Sequence, residues 1–310
     1  TGSPWREPGG SGVPEGTVRG TLWQRLVADD GPGRLLFYLP AAFMTVFFLV
    51  PLSLTLVWSV FERTMFWMKP GFTFAAYGDF FLSGRLDSFL NSVQSGLVTV
   101  LVAFALGFPI AVFVRRSLPA SAQHKAVLLF ILPFMISEVI RLFALRPVLG
   151  RNGIVNDALI GVGLTAAPLD WLIFTPTGVV IGEVLSFLPF MVFCGFLAME
   201  GVPDYVFELC SDLGSGVVRT FVWVIMPLAA PGIFAATVFI FVNSLGLFLV
   251  PDLLGGPGAA NAGTLVVNAI AALDFPLAMA IAAVMVALMA GLLLIGHWLF
   301  DITKILQPYR

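Results

Sequence analysis

Runs of about 20 or more apolar residues recur along nearly the whole chain and leave few folds open to it. They lie at roughly Leu35–Val60, Phe89–Val114, Ala126–Leu145, Pro176–Ala198, Ala229–Val250 and Pro276–Phe300. A helix needs about 20 apolar residues to cross the hydrocarbon core of a bilayer, and polar or Gly/Pro-rich connections separate the runs. Composition agrees: 11% of the 310 residues are charged, where a soluble domain carries about 25%, and mean hydropathy is +0.98. The chain therefore reads as an all-α polytopic membrane protein with six transmembrane helices over 35–300. No soluble domain and no repeat of the whole set of spans is visible. Residues 1–34 are rich in Gly, Pro and charge and lack an apolar core, so they read as a flexible cytoplasmic tail rather than a signal peptide. Residues 301–310 read as a second short tail, and the missing initiator Met suggests a trimmed start.

Lys and Arg near span ends set orientation. With the N-terminus inside, the inner segments hold Arg6, Arg19, Arg25, Arg34, Arg115, Arg116, Lys125, Arg219, Lys304 and Arg310. The outer ones hold Arg63, Lys69, Arg85, Arg146 and Arg151, a ratio of ten to five. The bias favours both termini in the cytoplasm and puts the 200–228 connection there too. Pro40, Pro51, Pro109, Pro133 and Pro189 lie in or near spans, where proline bends a helix or is simply tolerated.

That connection is a polar island. Pro203 and Asp204 are placed to start a short helix, with Asp204 as its N-cap. Gly214 permits a sharp turn where a Cβ would clash, and Val217, Phe221 and Val224 then recur at helical spacing. Pro227 and Pro231 frame the entry to the fifth span. The loop thus reads as helix, turn, helix.

In this loop Glu208 is followed six residues later by Gly214, and Gly214 ten residues later by Val224, then by Met226 and Pro227. The pattern closely resembles the coupling loop of bacterial ABC-importer permeases: Glu-Ala-Ala, three residues, Gly, nine residues, aliphatic, any residue, aliphatic, Pro. Leu209-Cys210 departs from the family's Ala-Ala pair. Further segments look like spermidine/putrescine-type permeases: Leu132-Pro133-Phe134, Arg141, Leu149 to Asn156, Leu188 to Met191, Met226 to Ile233 and Asp252 to Gly256. The resemblance covers about Leu35 to Leu299. It implies the type I ABC importer permease fold with a cytoplasmic coupling helix, in a bacterial inner membrane. Asp204, Glu208, Cys210, Asp212, Leu213, Gly214, Thr220 and Pro227 would then meet the ATPase. Implied partners are a second permease subunit, an ATPase dimer and a periplasmic substrate-binding protein. ATP and Mg would be bound by the ATPase, because the chain has no Gly-x-x-x-x-Gly-Lys-Ser/Thr loop, and this chain needs no cofactor of its own.

Charged residues at membrane depth are costly, and functional by default. Glu138 and Arg141 sit three apart on one face of the third span, where they read as a mutually neutralising pair or as path residues. Glu183 lies early in the fourth span without a partner there. Asp252 and Asp274 lie at outer span ends, read either as path carboxylates or as groups in outer water. With Trp171 and Phe187 as ring donors, an acidic, aromatic path suits a flexible cation. Asn243 and Ser244 are lesser path candidates, or interhelical hydrogen-bonding residues. His124 and His297 are isolated, and Cys194 and Cys210 give no metal or disulfide pattern. No catalytic or metal set is expected, and the net charge of −2 suggests no nucleic acid. The expected function is permeation of a polyamine by alternating access. The alternatives are an opine or amino-acid derivative carried by the same class of importer, or a secondary transporter.

Overall fold

The computed structural model describes residues 33–256 and 258–300; the expected tails, with Arg6, Arg19, Arg25, Lys304 and Arg310, lie outside them. The chain divides into two units at Leu54 and Thr55. Helix α1 (Gly33–Trp58) supplies all the described residues of the first unit, and its side chains from Tyr38 to Val50 are exposed in the isolated chain, as a lipid-facing helix requires.

After the last residues of α1, the second unit forms a small antiparallel hairpin, β1 (Glu62–Arg63) and β2 (Met68–Lys69), in the register Glu62 opposite Lys69. A 2.8 Å ion pair joins those two side chains. Helix α2 (Ala75–Leu82) follows. Helix α3 (Arg85–Ser117) carries Asp87 in its first turn and Arg115 and Arg116 in its last, signs that complement the helix dipole. Next come α4 (Ala120–Met135), α5 (Glu138–Leu149) and α6 (Ile154–Gly161). Helix α7 (Pro176–Glu200) is started by Thr175, whose hydroxyl accepts the Gly178 N–H at 3.1 Å, and by proline at its first position.

The remaining elements are α8 (Asp204–Asp212), α9 (Val217–Thr220), a π-helical turn at Phe221–Ile225 and α10 (Met226–Gly246). A second π turn at Pro251–Gly255 leads to α11 (Ala262–Ala271) and α12 (Phe275–Phe300). Segment Val217–Gly246 is one continuous rod. Pro227 has no N–H to give the Trp223 carbonyl. The chain accommodates this by widening to i→i+5 bonding, with the Met226 N–H on the Phe221 carbonyl.

Helices α3, α7 and α10 form the centre. Small residues set the α3–α7 approach: a Cβ on Gly107 would lie 2.8 Å from Met191 Cγ, and one on Gly195 3.0 Å from Ala111 Cβ. Without a hydrophobic effect between helices in lipid, such backbone proximity supplies the packing.

Two expectations are corrected. The third span is not one helix: α4 and the segment Glu138–Gly161 meet at 88°. Pro133 withholds an N–H, the Ile136 N–H bonds the Pro133 carbonyl, and Ile136 and Ser137 are extended, so the helix cannot continue. The fifth span ends at Gly246 rather than Val250. The Asn261 side chain takes the Leu247 carbonyl at 2.6 Å, and Leu247 itself is extended.

Candidate functional site

The 200–228 segment begins with α8. Asp204 is the first helical residue, not the N-cap, a position that falls to Pro203. Its carboxylate is used instead in a 2.8 Å ion pair with Arg115 at the end of α3. Arg116 lies over the Phe207 ring, 4.2 Å from its centroid, a cation–π contact. Phe207 is buried with Phe108, Met199, Val202 and Ile225. Helix α8 is therefore fastened to α3 and α7 along one face, while Tyr205, Glu208, Leu209 and Asp212 point outward.

The turn after α8 is a Schellman motif. The Ser215 N–H bonds the Cys210 carbonyl at 2.9 Å and the Gly214 N–H bonds the Ser211 carbonyl at 2.9 Å. This requires Gly214 at φ +68°, with nothing within 4 Å of where a Cβ would stand. The Thr220 hydroxyl donates to the Ser215 hydroxyl at 3.0 Å and stiffens the entry to α9. Leu213, Val217 and Val218 are apolar yet exposed, as is Pro227. Cys210, Thr220 and Arg116 line a groove of about 460 Å³ between α3 and this segment. This segment thus presents a braced apolar surface flanked by the Glu208 and Asp212 carboxylates.

A second polar locus lies in the bundle. Glu183, on α7, is 0% exposed. One carboxylate oxygen, Oε2, accepts the Thr99 hydroxyl of α3 at 2.8 Å and the Ser244 hydroxyl of α10 at 2.6 Å. The three central helices therefore meet on one oxygen atom, while Oε1 is buried without a protein partner. One turn along α7, the Ser186 hydroxyl is also buried and unpartnered, as is Arg141 Nε. Arg141 donates to the Ser186 and Ile136 carbonyls, at 2.9 and 3.2 Å. The expected Glu138–Arg141 pairing is thus corrected: the bend at Ser137 aims the guanidinium at backbone carbonyls, and no ion pair joins the two among the described residues.

Of the other expected residues, Asn243 bonds the Phe239 carbonyl of its own helix at 2.8 Å, so its link is not interhelical. Asp274 is buried rather than water-exposed. It pairs with Arg63 at 2.8 Å and caps α12 through the Leu277 N–H at 3.3 Å. Asp252 is exposed on the second π turn. Trp171 is half-exposed on a short 3-10 turn, Asp170–Leu172, near the start of α7, next to the Asp170–Arg151 ion pair of 3.4 Å. The structure so gathers Glu183, Ser244, Ser186 and Arg141 and leaves Trp171, Asp252 and Asp274 apart. Thr99 escaped the sequence reading. A hydroxyl in an apolar run was its only signal, and only the packing of α3 on α7 gives it meaning. Among the described residues, no group of three His, Cys, Asp or Glu side chains is arranged to hold a metal.

Comparison with known proteins follows the same lines. Residues 81–304 match the family model described as "Binding-protein-dependent transport system inner membrane component". The chain is 32% identical over 210 residues to the spermidine/putrescine transport system permease protein PotB of Escherichia coli (strain K12), covering 67% of this chain and 75% of that protein. It is 30% identical over 229 residues to the PotB of Haemophilus influenzae, covering 73% and 78%. Among solved structures, it is similar in fold to a chain of a bacterial alginate ABC transporter in complex with an alginate pentasaccharide-bound periplasmic protein. There the TM-score is 0.69 at 17% identity, covering 91% of this chain and 98% of that one.

Proposed function

Because the chain belongs to the family of binding-protein-dependent transport system inner membrane components, we propose that it serves a polyamine importer as one of two membrane-spanning subunits. In this reading a partner ATPase dimer binds ATP and Mg and hydrolyses the nucleotide, a second permease subunit completes the path, and a periplasmic binding protein delivers the solute. Both termini and the 200–228 segment lie in the cytoplasm. The observation that carries the coupling role is the braced surface of α8, the Gly214 turn and α9. A surface that transmits force must not deform under it, and the Arg115–Asp204 pair, the Arg116–Phe207 contact and the Schellman turn each oppose deformation. The exposed Leu213, Val217 and Val218 give the ATPase an apolar contact, and Glu208 and Asp212 give it charge. ATP binding closes the ATPase dimer, the surface is held differently in the two states, and the cavity changes the side on which it opens.

The polyamine assignment is supported by the names of the PotB relatives and by the buried, half-satisfied carboxylate of Glu183, which favours an ammonium group over a neutral solute. Its test is ATP hydrolysis by the reconstituted complex with its binding protein, titrated with spermidine, putrescine and a neutral opine. Stimulation by the polyamines alone is the expected result. Stimulation only by the opine would keep the importer and discard the polyamine.

A further inference from the structure

The segment between α1 and α3 exposes more apolar surface than a water-facing connection should. Met65 is 84% exposed, Phe72 80% and Leu82 88%, with Phe66, Phe74 and Phe81 exposed beside them. On α2 the two faces separate cleanly. Ala76 and Phe80, one turn apart, are buried, whereas Phe74 and Phe81, two turns apart, point the other way.

What covers this surface follows from its depth. Phe80 packs in a cluster with Leu277, Ala278 and Ile281, in the first two turns of the last span. The Trp67 ring lies 4.6 Å from that of Phe275, the residue that begins the same span. Helix α12 has 26 residues and is therefore about 39 Å long at 1.5 Å per residue. This exceeds a hydrocarbon core of about 30 Å, so its first turns stand at the boundary between headgroups and acyl chains. From Phe275 to Ile281 the rise is about 9 Å, which places α2 and the hairpin tip in that boundary layer. Their charges do not oppose this placement. Lys69 is paired with Glu62 and Arg63 with Asp274, both at 2.8 Å, so these four groups sum to zero. The Ser59–Tyr77 hydroxyl contact of 2.8 Å and the Thr73 N–H on the Val60 carbonyl at 2.9 Å hold the segment folded back on residues 59–60.

We infer that residues 64–82 are an interfacial anchor, lying in the headgroup layer with their aromatic side chains inserted among phospholipid acyl chains. Aromatic residues favour this layer, and of the charged side chains in residues 64–82 only Asp79 lies outside these pairs; it is exposed, and the headgroup layer accommodates a carboxylate there while the aromatic side chains reach the acyl chains. The inference rests on the membrane-spanning character of α12 and not on the identity of the solute.

The test is photocrosslinking in the assembled complex in phospholipid nanodiscs, with and without the periplasmic binding protein. Benzoylphenylalanine replaces Phe66, Phe72 or Leu82, one at a time, and Asn152, an exposed polar loop residue, serves as reference. The expected result is a phospholipid mass adduct at each of the three sites, several-fold above the yield at Asn152 and unchanged by the binding protein. Lipid yields no higher than at Asn152 would overturn the inference. So would adducts to the binding protein or to another subunit, which would make this surface a protein-docking patch.

Discussion

Stripping the hydroxyls from Glu183 separates its structural role from its transport role. Thr99→Val and Ser244→Ala each remove one donor from Oε2, at 2.8 and 2.6 Å, and Oε1 already has no protein partner. A hydrogen bond to a charged group contributes about 1.5–3 kcal/mol, so each single variant should lose roughly that much stability. In the double variant both carboxylate oxygens are orphaned at a fully buried site, and contacting residues of this kind couple by about 0.5–3 kcal/mol. The loss should therefore exceed the sum of the singles. Adding Glu183→Met to the double variant replaces the whole polar cluster by apolar groups of similar shape, a change that is close to neutral or stabilising. The triple variant should thus recover most of the lost stability. Unfolding in mixed micelles titrated with SDS measures this ladder, and polyamine uptake into proteoliposomes measures function in parallel. The triple variant is expected to be stable and to transport poorly, because the carboxylate proposed to meet the cation is gone. If the triple variant is no more stable than the double, the reasoning about a buried carboxylate is refuted. If it transports normally, Glu183 is a structural clasp and nothing more.

Two further predictions concern backbone. Gly214→Val forces a β-branched residue into φ +68° at a cost of about 1–2 kcal/mol. It should abolish polyamine-stimulated ATP hydrolysis while the complex still assembles by size exclusion, and normal stimulation would remove the turn from the coupling surface. The glycines of α2 and α11 should respond oppositely to alanine. Gly78 has open space around it, so Gly78→Ala should stabilise by up to about 1 kcal/mol. A Cβ on Gly263 would lie 2.5 Å from the Gly246 carbonyl oxygen, so Gly263→Ala should destabilise by about 1–3 kcal/mol. Melting midpoints of the same sign for both would show that this close approach does not govern the packing.

The sequence made the spans legible because their apolar runs are long and their ends carry charge, proline or glycine. Gly214 was legible for the same kind of reason, since the spacing leaves little else for a glycine to do there. The break at Ile136–Ser137 was not: Pro133 in a span reads equally as a bend or as a tolerated residue, and an apolar run looks the same whether it is straight or folded through 88°. Hydrogen-bond partners were the least legible. Asp204 has the chemistry of an N-cap, and only the arrival of Arg115 from 89 residues away in sequence reassigns it. Thr99 and Glu183 are likewise joined across 84 residues, a relation that only the α3–α7 packing creates.

The continuity of α9, the π turn and α10 has a mechanical consequence. Val217 stands at the exposed end and Ser244 holds Glu183, and at 1.5 Å per residue the rod between them is about 40 Å long. Tilting such a rod by about 5° about one end displaces the other by about 3.5 Å, more than the 2.6 Å that separates the Ser244 and Glu183 oxygens. The carboxylate then loses its shorter clasp through leverage alone, with no relay of side chains in between. The widened turn at Phe221–Ile225 breaks the regular bonding of the rod, with Pro231 a second interruption further along it. These two places govern how much of a push at the exposed end arrives as tilt and how much is absorbed as bend.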